Sequence, residues 1–207
     1  MRSDVWAVVH TERAALADDL ADVPAAAWST PSLCAGWDVR DVLAHIADTA
    51  TLSGARFVKE LILTGFSPAR IVDKQIRAGR TQSPAELLDA LRTATYRTAS
   101  PPQPTITRLI EIVVHAEDIR RPLQITHAYS TTHVAEALRY LARERRIGGR
   151  TRLSGLELCA TDADVVVGQG LQVRGPAVSL LVTAAGRRDA ISELDGPGLQ
   201  RLRERLE

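Results

Sequence analysis

The sequence lacks several features that would assign a chain to a protein class at once. Its 207 residues contain two cysteines, Cys34 and Cys159, which allow at most one disulfide bond and form no Cys-x-x-Cys motif. No apolar run approaches the ~18 residues that a transmembrane helix needs. The charged residues nearly balance, with a net charge of +1. Proteins that bind the nucleic acid backbone usually carry a basic excess, so the composition disfavours a nucleic acid partner.

The N-terminal residues also lack a signal-peptide pattern. The charged or polar residues His10, Glu12 and Arg13 follow the start closely, and no apolar segment of signal-peptide length precedes them. Hydrophobic residues make up 45% of the sequence, which is enough for a real core at this length. These features together predict a reduced, cytoplasmic protein that does not enter a membrane.

Hydrophobic periodicity predicts a helical N-terminal domain over residues 1–147. Ser83 and Glu86 form a capping box at the start of one helix, and the prolines between 101 and 104 require a loop because proline does not fit a helix interior. The other helices are predicted at 3–20, 39–63, 67–79, 105–120 and 132–146.

The pattern changes after Gly149. Short β-prone segments at 153–160, 165–167 and 171–174 are separated by turn residues. An apolar helix follows from Gly175 to Ala185, and a charged helix closes the chain. The sequence therefore predicts a mainly α fold with a small α/β domain at 148–207. Because fewer than ~60 residues are marginally stable alone, this domain is expected to pack on the helical one.

Glu111 and His115 are the first candidate site residues. They lie four residues apart, so their side chains share one face of a largely apolar helix. Buried acid and imidazole groups need partners, and a metal ion would satisfy both; the same spacing also fits a solvated ion pair. His45, on an earlier helix, is either a packed core histidine or the third member of a two-histidine, one-glutamate metal set.

Two motifs resemble a known family. The segment 33–45, Leu-Cys-Ala-Gly-Trp-Asp-Val-Arg-Asp-Val-Leu-Ala-His, and the later Glu111-x-x-x-His115-x-x-Asp118 are similar to the mycothiol-dependent maleylpyruvate isomerase family, within the DinB-like metalloprotein superfamily. The resemblance implies a DinB-like four-helix bundle that holds zinc or another divalent ion. Its ligands would be His45, Glu111 and His115.

The resemblance extends to the C-terminal domain. Gly-Pro-Ala at 175–177, the apolar helix after it and Gly186-Arg187 are similar to that family's C-terminal pattern, which implies a sterol-carrier-like fold. The resemblance also implies mycothiol as cosubstrate and Arg187 as a catalytic residue that clamps a carboxylate. Since Arg187 follows an apolar helix, it is equally suited to capping that helix.

Three residues near the candidate ligands have more than one interpretation. Cys34 is either a reactive thiol or a buried structural cysteine, and no adjacent base is evident in the sequence. Asp118 lies about two helical turns from Glu111, so we expect it to orient a neighbouring side chain rather than to bind the same ion. Trp37 could stack on a ligand, but it is expected instead to pack beneath the following helix as a hydrophobic staple.

A cluster of arginines follows the last predicted helix of the N-terminal domain. The run Arg-Glu-Arg-Arg at 143–146, with Arg150 and Arg152, is compatible with an anion site. A solvated helix end is the preferred interpretation, because basic residues suit a helix C-terminus.

Two functions fit these observations. The first is a divalent-metal-dependent enzyme that uses a low-molecular-weight thiol to isomerise an electrophile or transfer sulfur to it, since a metal-bound thiol deprotonates at neutral pH. The alternative is a metal-stabilised, non-catalytic module that binds or carries a small molecule. A helical regulator without metal is a weaker third hypothesis. The sequence names neither the electrophile nor the oligomeric state.

Overall fold

The computed structural model describes residues 4–145 and 148–206, which form two compact units. The first unit spans residues 1–126 and the second spans 127–207. No helix within the described residues is long and apolar enough to cross a membrane.

The first unit contains a four-helix bundle, as predicted. Its helices are α1 (Val5–Asp19), α2 (Val39–Thr49), α3 (Gly54–Leu63), α4 (Pro68–Gly79), α5 (Pro84–Ala94) and α6 (Ile106–Arg120). Helices α1, α2, α5 and α6 form the bundle, because α1 and α2 each pack against both α5 and α6. Helix α2 also packs against α4, and α3 contacts α4. A short 3-10 helix, Ala25–Ser29, lies between α1 and α2.

Local capping sets where these helices begin. The capping box predicted at Ser83 and Glu86 is present at the start of α5. Asp38 caps α2 by accepting a hydrogen bond from the Asp41 backbone N–H at 2.8 Å. Asp4 caps α1, while Ser3, the cap expected from the sequence, lies outside the described residues.

The prediction of one long helix over 39–63 is wrong. The chain leaves the helix after Thr49 and starts a new one at Gly54, capped by the Ser53 hydroxyl, which accepts from the Arg56 backbone N–H. Leu52, in the break, is buried. The break therefore allows the apolar Leu52 side chain to be buried in the core. A helical periodicity that looks continuous in the sequence does not reveal this burial.

The second unit is built around one apolar helix. Its elements are α7 (Thr131–Leu141), α8 (Gly149–Arg152), β1 (Leu156–Ala160), β2 (Val166–Gly168), β3 (Leu171–Gly175), α9 (Ala177–Ala184), a 3-10 helix (Asp189–Glu193) and α10 (Leu199–Glu204). The sheet order is β2–β1–β3, with β1 antiparallel to β2 and parallel to β3. Helix α9 packs against α7, β1, β3 and the 3-10 helix. This arrangement confirms the small α/β part of the predicted fold.

The division between the units lies before the boundary expected from the sequence at 147/148. Helix α7 was assigned to the helical domain by its periodicity, but it packs against α9 and shares the core of the second unit. It also ends at Leu141, before the expected end at Arg146. Arg146 and the expected boundary residue 147 lie outside the described residues.

Candidate functional site

The structure brings His45 of α2 and His115 of α6 together inside the first unit. Their ring centroids are 4.9 Å apart in an edge-on arrangement. Trp37, in the loop before α2, lies against both imidazoles, with centroid distances of 5.4 Å to His45 and 6.4 Å to His115. The tryptophan thus forms a wall of the site, in addition to any packing against its own helix.

A chain of hydrogen bonds orients His45. The Gln75 side-chain N–H donates to Asp48 Oδ2 at 2.6 Å, and Asp48 pairs in turn with Arg56. The Gln75 carbonyl oxygen therefore faces His45 Nδ1, at 3.2 Å, and the imidazole must donate there. This fixes the tautomer of His45, because a proton on Nδ1 leaves the lone pair on Nε2.

A carboxylate orients His115 in the same way. His115 Nδ1 donates to Asp118 Oδ2 at 2.8 Å, and Asp118 is fully buried. The Cys34 thiol donates to the same carboxylate oxygen at 3.1 Å. The lone pair of His115 is therefore on Nε2 as well. A buried carboxylate behind an imidazole is the usual support of a metal-ligating histidine, and it matches the orienting role expected for Asp118.

Glu111 carries its negative charge in a mostly buried position. Its Oε2 lies 2.5 Å from Arg108 Nη1. Burial raises the pKa of Glu111, but the Arg108 guanidinium, the two imidazoles and the Thr49 hydroxyl together lower that pKa below its usual value. The carboxylate is therefore ionised at neutral pH.

Burial keeps His45 neutral. Burial, and then the neighbouring His115, lower the pKa of His45 to about 4. At pH 7 its imidazole is uncharged, which is the form that binds a metal. Imidazole nitrogens and an ionised carboxylate are donors that zinc prefers, and three protein ligands would leave a further coordination position.

A second set of donors competes with this assignment. Among the described residues, the ligand atoms of Cys34, His115 and Asp118 all lie within 4.8 Å of one another. However, the 2.8 Å between His115 Nδ1 and Asp118 Oδ2 is a hydrogen-bond distance. Two such ligands of one tetrahedral zinc ion would lie roughly 3.3 Å apart, from bond lengths of about 2.0 Å. The set His45, Glu111 and His115 therefore stays our prediction.

Sequence reasoning missed two residues of this site, Gln75 and Arg108, which contact the candidate ligands. Trp37 was expected only as a hydrophobic staple, yet its ring lies against both imidazoles. Gln75 had a usable signal, because it lies four residues after the buried Ile71 and four before the buried Gly79, on the inner face of α4. A polar residue on such a face needs a partner.

Arg187 lies just beyond the C-terminal end of α9 in the second unit. Its Nη1 donates to the Ala185 carbonyl at 3.1 Å, and Arg152 Nε donates to the Ala184 carbonyl at 2.9 Å. Burial and the nearby Arg187 lower the pKa of Arg152. Both arginines thus stabilise carbonyl groups at this helix end. This contact fits a capping role and leaves the predicted catalytic role of Arg187 open.

Comparisons with known proteins agree with this architecture. Residues 9–105 match the family model of the mycothiol maleylpyruvate isomerase N-terminal domain, a segment that includes His45 and ends before Glu111. Crystal structures of the mycothiol-dependent maleylpyruvate isomerase and of a histidine-to-alanine mutant of it are similar, with TM-scores of 0.62 and 0.61 and identities of 19% and 18%. Each comparison covers 94% of this chain and 92% of the other. No curated protein matches the chain. Residues 9–105 thus match the N-terminal domain of the mycothiol maleylpyruvate isomerase family, and the two crystal structures show that the chain shares its overall fold with that isomerase.

Proposed function

We propose that the chain is a metal-dependent enzyme whose divalent ion, zinc by preference, binds to His45, Glu111 and His115. The observation that carries this proposal is the matched orientation of the two imidazoles. Gln75 and Asp118 each accept a hydrogen bond from an Nδ1–H, so both rings have their lone pair on Nε2 next to an ionised glutamate. Packed core imidazoles also need a partner for each N–H, but packing alone does not require both Nε2 lone pairs to lie next to one ionised glutamate.

The proposed cosubstrate is a low-molecular-weight thiol, mycothiol, as in the names of the two similar structures. When bound, a divalent ion lowers the pKa of a coordinated thiol, so that the sulfur is a thiolate at neutral pH. Trp37 and the buried surroundings of His45 restrict water at this position, which strengthens electrostatic interactions there.

The proposed reaction is isomerisation of an electrophile with an activated carbon–carbon double bond. The thiolate sulfur adds to one carbon, and the π electrons move into the adjoining carbonyl group. Rotation about the resulting single bond and loss of the same thiolate then restore the double bond in the other configuration. The cycle regenerates the thiol and needs no oxidant or reductant. Maleylpyruvate is the first substrate to test, because the similar structures are named for it.

We assign Arg187 the role of holding a carboxylate of the substrate. A guanidinium presents a planar fork of N–H donors that matches the geometry of a carboxylate. Loss of a charge-assisted bidentate contact should lower kcat/KM by about 10- to 100-fold. The test is Arg187→Ala with Arg188→Ala as control, measuring turnover and metal content in both. Unchanged turnover in Arg187→Ala would mean that Arg187 only caps the helix.

Elemental analysis of purified protein tests the metal site. We expect one divalent ion per chain in the wild type, and none in the triple variant His45→Ala, Glu111→Ala, His115→Ala. His133→Ala is the control, because His133 pairs with the Ser130 hydroxyl at the surface. Stoichiometric metal in the triple variant would refute the ligand assignment.

Turnover then separates the two candidate functions. Mycothiol-dependent isomerisation of maleylpyruvate by the wild type, absent from the triple variant, supports the enzyme. Bound metal without reaction of any thiol and electrophile pair would instead favour the metal-stabilised binding or carrier module. Circular dichroism of each variant confirms that the helical fold is retained.

A further inference from the structure

An open cavity lies in the second unit, at the ends of α7, α8 and α10. Its volume is about 710 Å³, and its lining residues all belong to the segment 142–205. Ligand sites in proteins commonly have volumes of about 300–1,000 Å³. The cavity is therefore large enough for a small organic molecule, and it involves none of the candidate metal ligands.

Among the described residues, three arginines line this cavity. They are Arg145, Arg150 and Arg205, and none of the described lining residues is acidic. No carboxylate of the described chain forms an ion pair with any of the three. Like charges gathered without a counter-charge repel one another, and a bound anion would relieve that repulsion.

Arg205 is held in place by the protein. Its Nη1 donates to the Arg152 carbonyl at 2.8 Å and to the Ser154 carbonyl. A guanidinium has five N–H donors, so the others remain for a ligand in the cavity. An arginine already fixed by backbone carbonyls loses less conformational freedom on binding than a solvated one.

The floor of the cavity is apolar. Leu153, Leu156 and Val167 line it and are buried, while Thr151 and Ser154 supply hydroxyl groups at the same cavity. A ligand suited to this lining has a multiply charged oxyanion at one end and an apolar body at the other.

The structure also shows where the described arginines of the cluster noted in the sequence lie. The sequence favours a solvated helix end for this cluster. Arg145 and Arg150 line the cavity, whereas Arg152 binds the Ala184 carbonyl at the end of α9. Arg143 is exposed and does not line the cavity, and Arg146 lies outside the described residues. Only Arg145 and Arg150 of the cluster therefore line the cavity among the described residues.

We propose that the second unit binds a small organic dianion, with a phosphate or dicarboxylate head, between Arg145, Arg150 and Arg205. Three positive charges favour a dianion over a monoanion, because each additional charge pair adds a favourable Coulomb interaction. The apolar floor favours an organic dianion over the inorganic ion.

Isothermal titration calorimetry on the full chain tests this proposal. The probes are phenyl phosphate and phthalate as dianions, benzoate as a monoanion, benzyl alcohol as a neutral molecule and inorganic phosphate without an apolar body. At pH 8 the phosphate monoester is doubly charged, since its second pKa is about 6. We expect saturable binding of at least one organic dianion, weaker binding of benzoate and of inorganic phosphate, and none of benzyl alcohol. The tighter dianion identifies the head group.

Two double variants, each of which removes two positive charges, serve as the test and its control. Arg145→Gln with Arg150→Gln removes two charges from the cavity and should weaken dianion binding at least about tenfold. Arg139→Gln with Arg143→Gln removes two exposed charges nearby and should change it less than about twofold. Both pairs should retain the wild-type metal content, so this test is independent of the proposed metal site.

Three outcomes would overturn the proposal. The first is the absence of saturable binding by either organic dianion. The second is equal loss of binding in the two double variants, which would mean attraction to surface charge alone. The third is binding of benzyl alcohol as tight as that of phenyl phosphate, which would mean an apolar site.

Discussion

The two units place their charged side chains in opposite ways. Among the described residues, every buried charged side chain belongs to the first unit: Glu12, Arg13, Asp41, Arg108, Glu117, Asp118 and Arg120. The buried polar side chains of the second unit are the hydroxyls of Ser179 and Thr183. The charged groups that distinguish the second unit instead surround an open cavity.

This difference separates two ways of using charge. A buried charge costs several kcal/mol unless a partner compensates it, so the interior of the first unit consists of fixed pairs and chains of hydrogen bonds. Such fixed groups can orient ligands of a metal. Charges at an open cavity have a small desolvation penalty and contribute little to the free energy of unfolding. They are therefore available for a ligand from solution.

The largest effect is expected from removing a candidate ligand from the first unit. His45→Ala should abolish metal binding, because it removes one of three proposed donors. Cys34→Ala should leave the metal content unchanged, because the thiol donates to Asp118 and is outside the proposed set. Metal analysis checks both. The opposite pattern, with metal lost from Cys34→Ala and kept in His45→Ala, would move the site to Cys34, His115 and Asp118.

Breaking a buried ion pair should have the next largest effect. Arg120 is fully buried and lies 2.7 Å from Asp19, which joins α6 to α1. Arg120→Leu should lower the free energy of unfolding by about 3 kcal/mol, since it leaves a partly buried carboxylate unpaired. The exposed Arg139→Leu in the second unit should change it by less than about 0.5 kcal/mol.

Tryptophan fluorescence during urea denaturation suits this measurement. The tryptophans of the sequence are Trp6, Trp28 and Trp37, so the signal reports on the first unit. The stability of Arg139→Leu can be followed by circular dichroism. If Arg120→Leu and Arg139→Leu lowered the free energy of unfolding equally, the predicted difference between buried and exposed charges would be wrong.

The orienting partners of the imidazoles should have a moderate effect. Gln75→Leu and Asp118→Asn each change the acceptor of a hydrogen bond that an imidazole Nδ1 donates, while keeping the proposed ligands. Loss of such a partner typically weakens metal affinity by about 10- to 100-fold. Competition with a chelator of known affinity measures this change, and the exposed Gln82→Leu is the control. Unchanged affinity in both variants would show that the rings are held by packing alone.

The smallest effect is expected at the contact between α2 and α4. A Cβ at Gly79 would lie 2.3 Å from Ala44 Cβ, so Gly79→Ala must push the helices apart. We expect a loss of about 1–2 kcal/mol in the free energy of unfolding. A weaker metal affinity should accompany it, because α4 also carries Gln75. At Gly54 a Cβ would come no closer than 3.7 Å to other atoms, so Gly54→Ala should not destabilise the chain.

The sequence by itself determined the local elements and one family motif. The capping box at Ser83, the break at the prolines near 101–104 and the short strands after Gly149 all depend on residues a few positions apart. The shared face of Glu111 and His115 follows from helix geometry, and the motif at 33–45 carried the family resemblance. These features were accessible because local backbone preferences and periodicity do not depend on what packs against them.

Only the tertiary structure decided which distant side chains meet. It placed Gln75 of α4 behind His45, Cys34 against Asp118, and Arg205 beside Arg145 and Arg150. It also assigned α7 to the second unit, although its amphipathic pattern fits either unit. Amphipathicity shows that a helix has a buried face, and it does not specify the partner of that face. The partner depends on the summed packing of elements far apart in the chain, which local sequence does not encode.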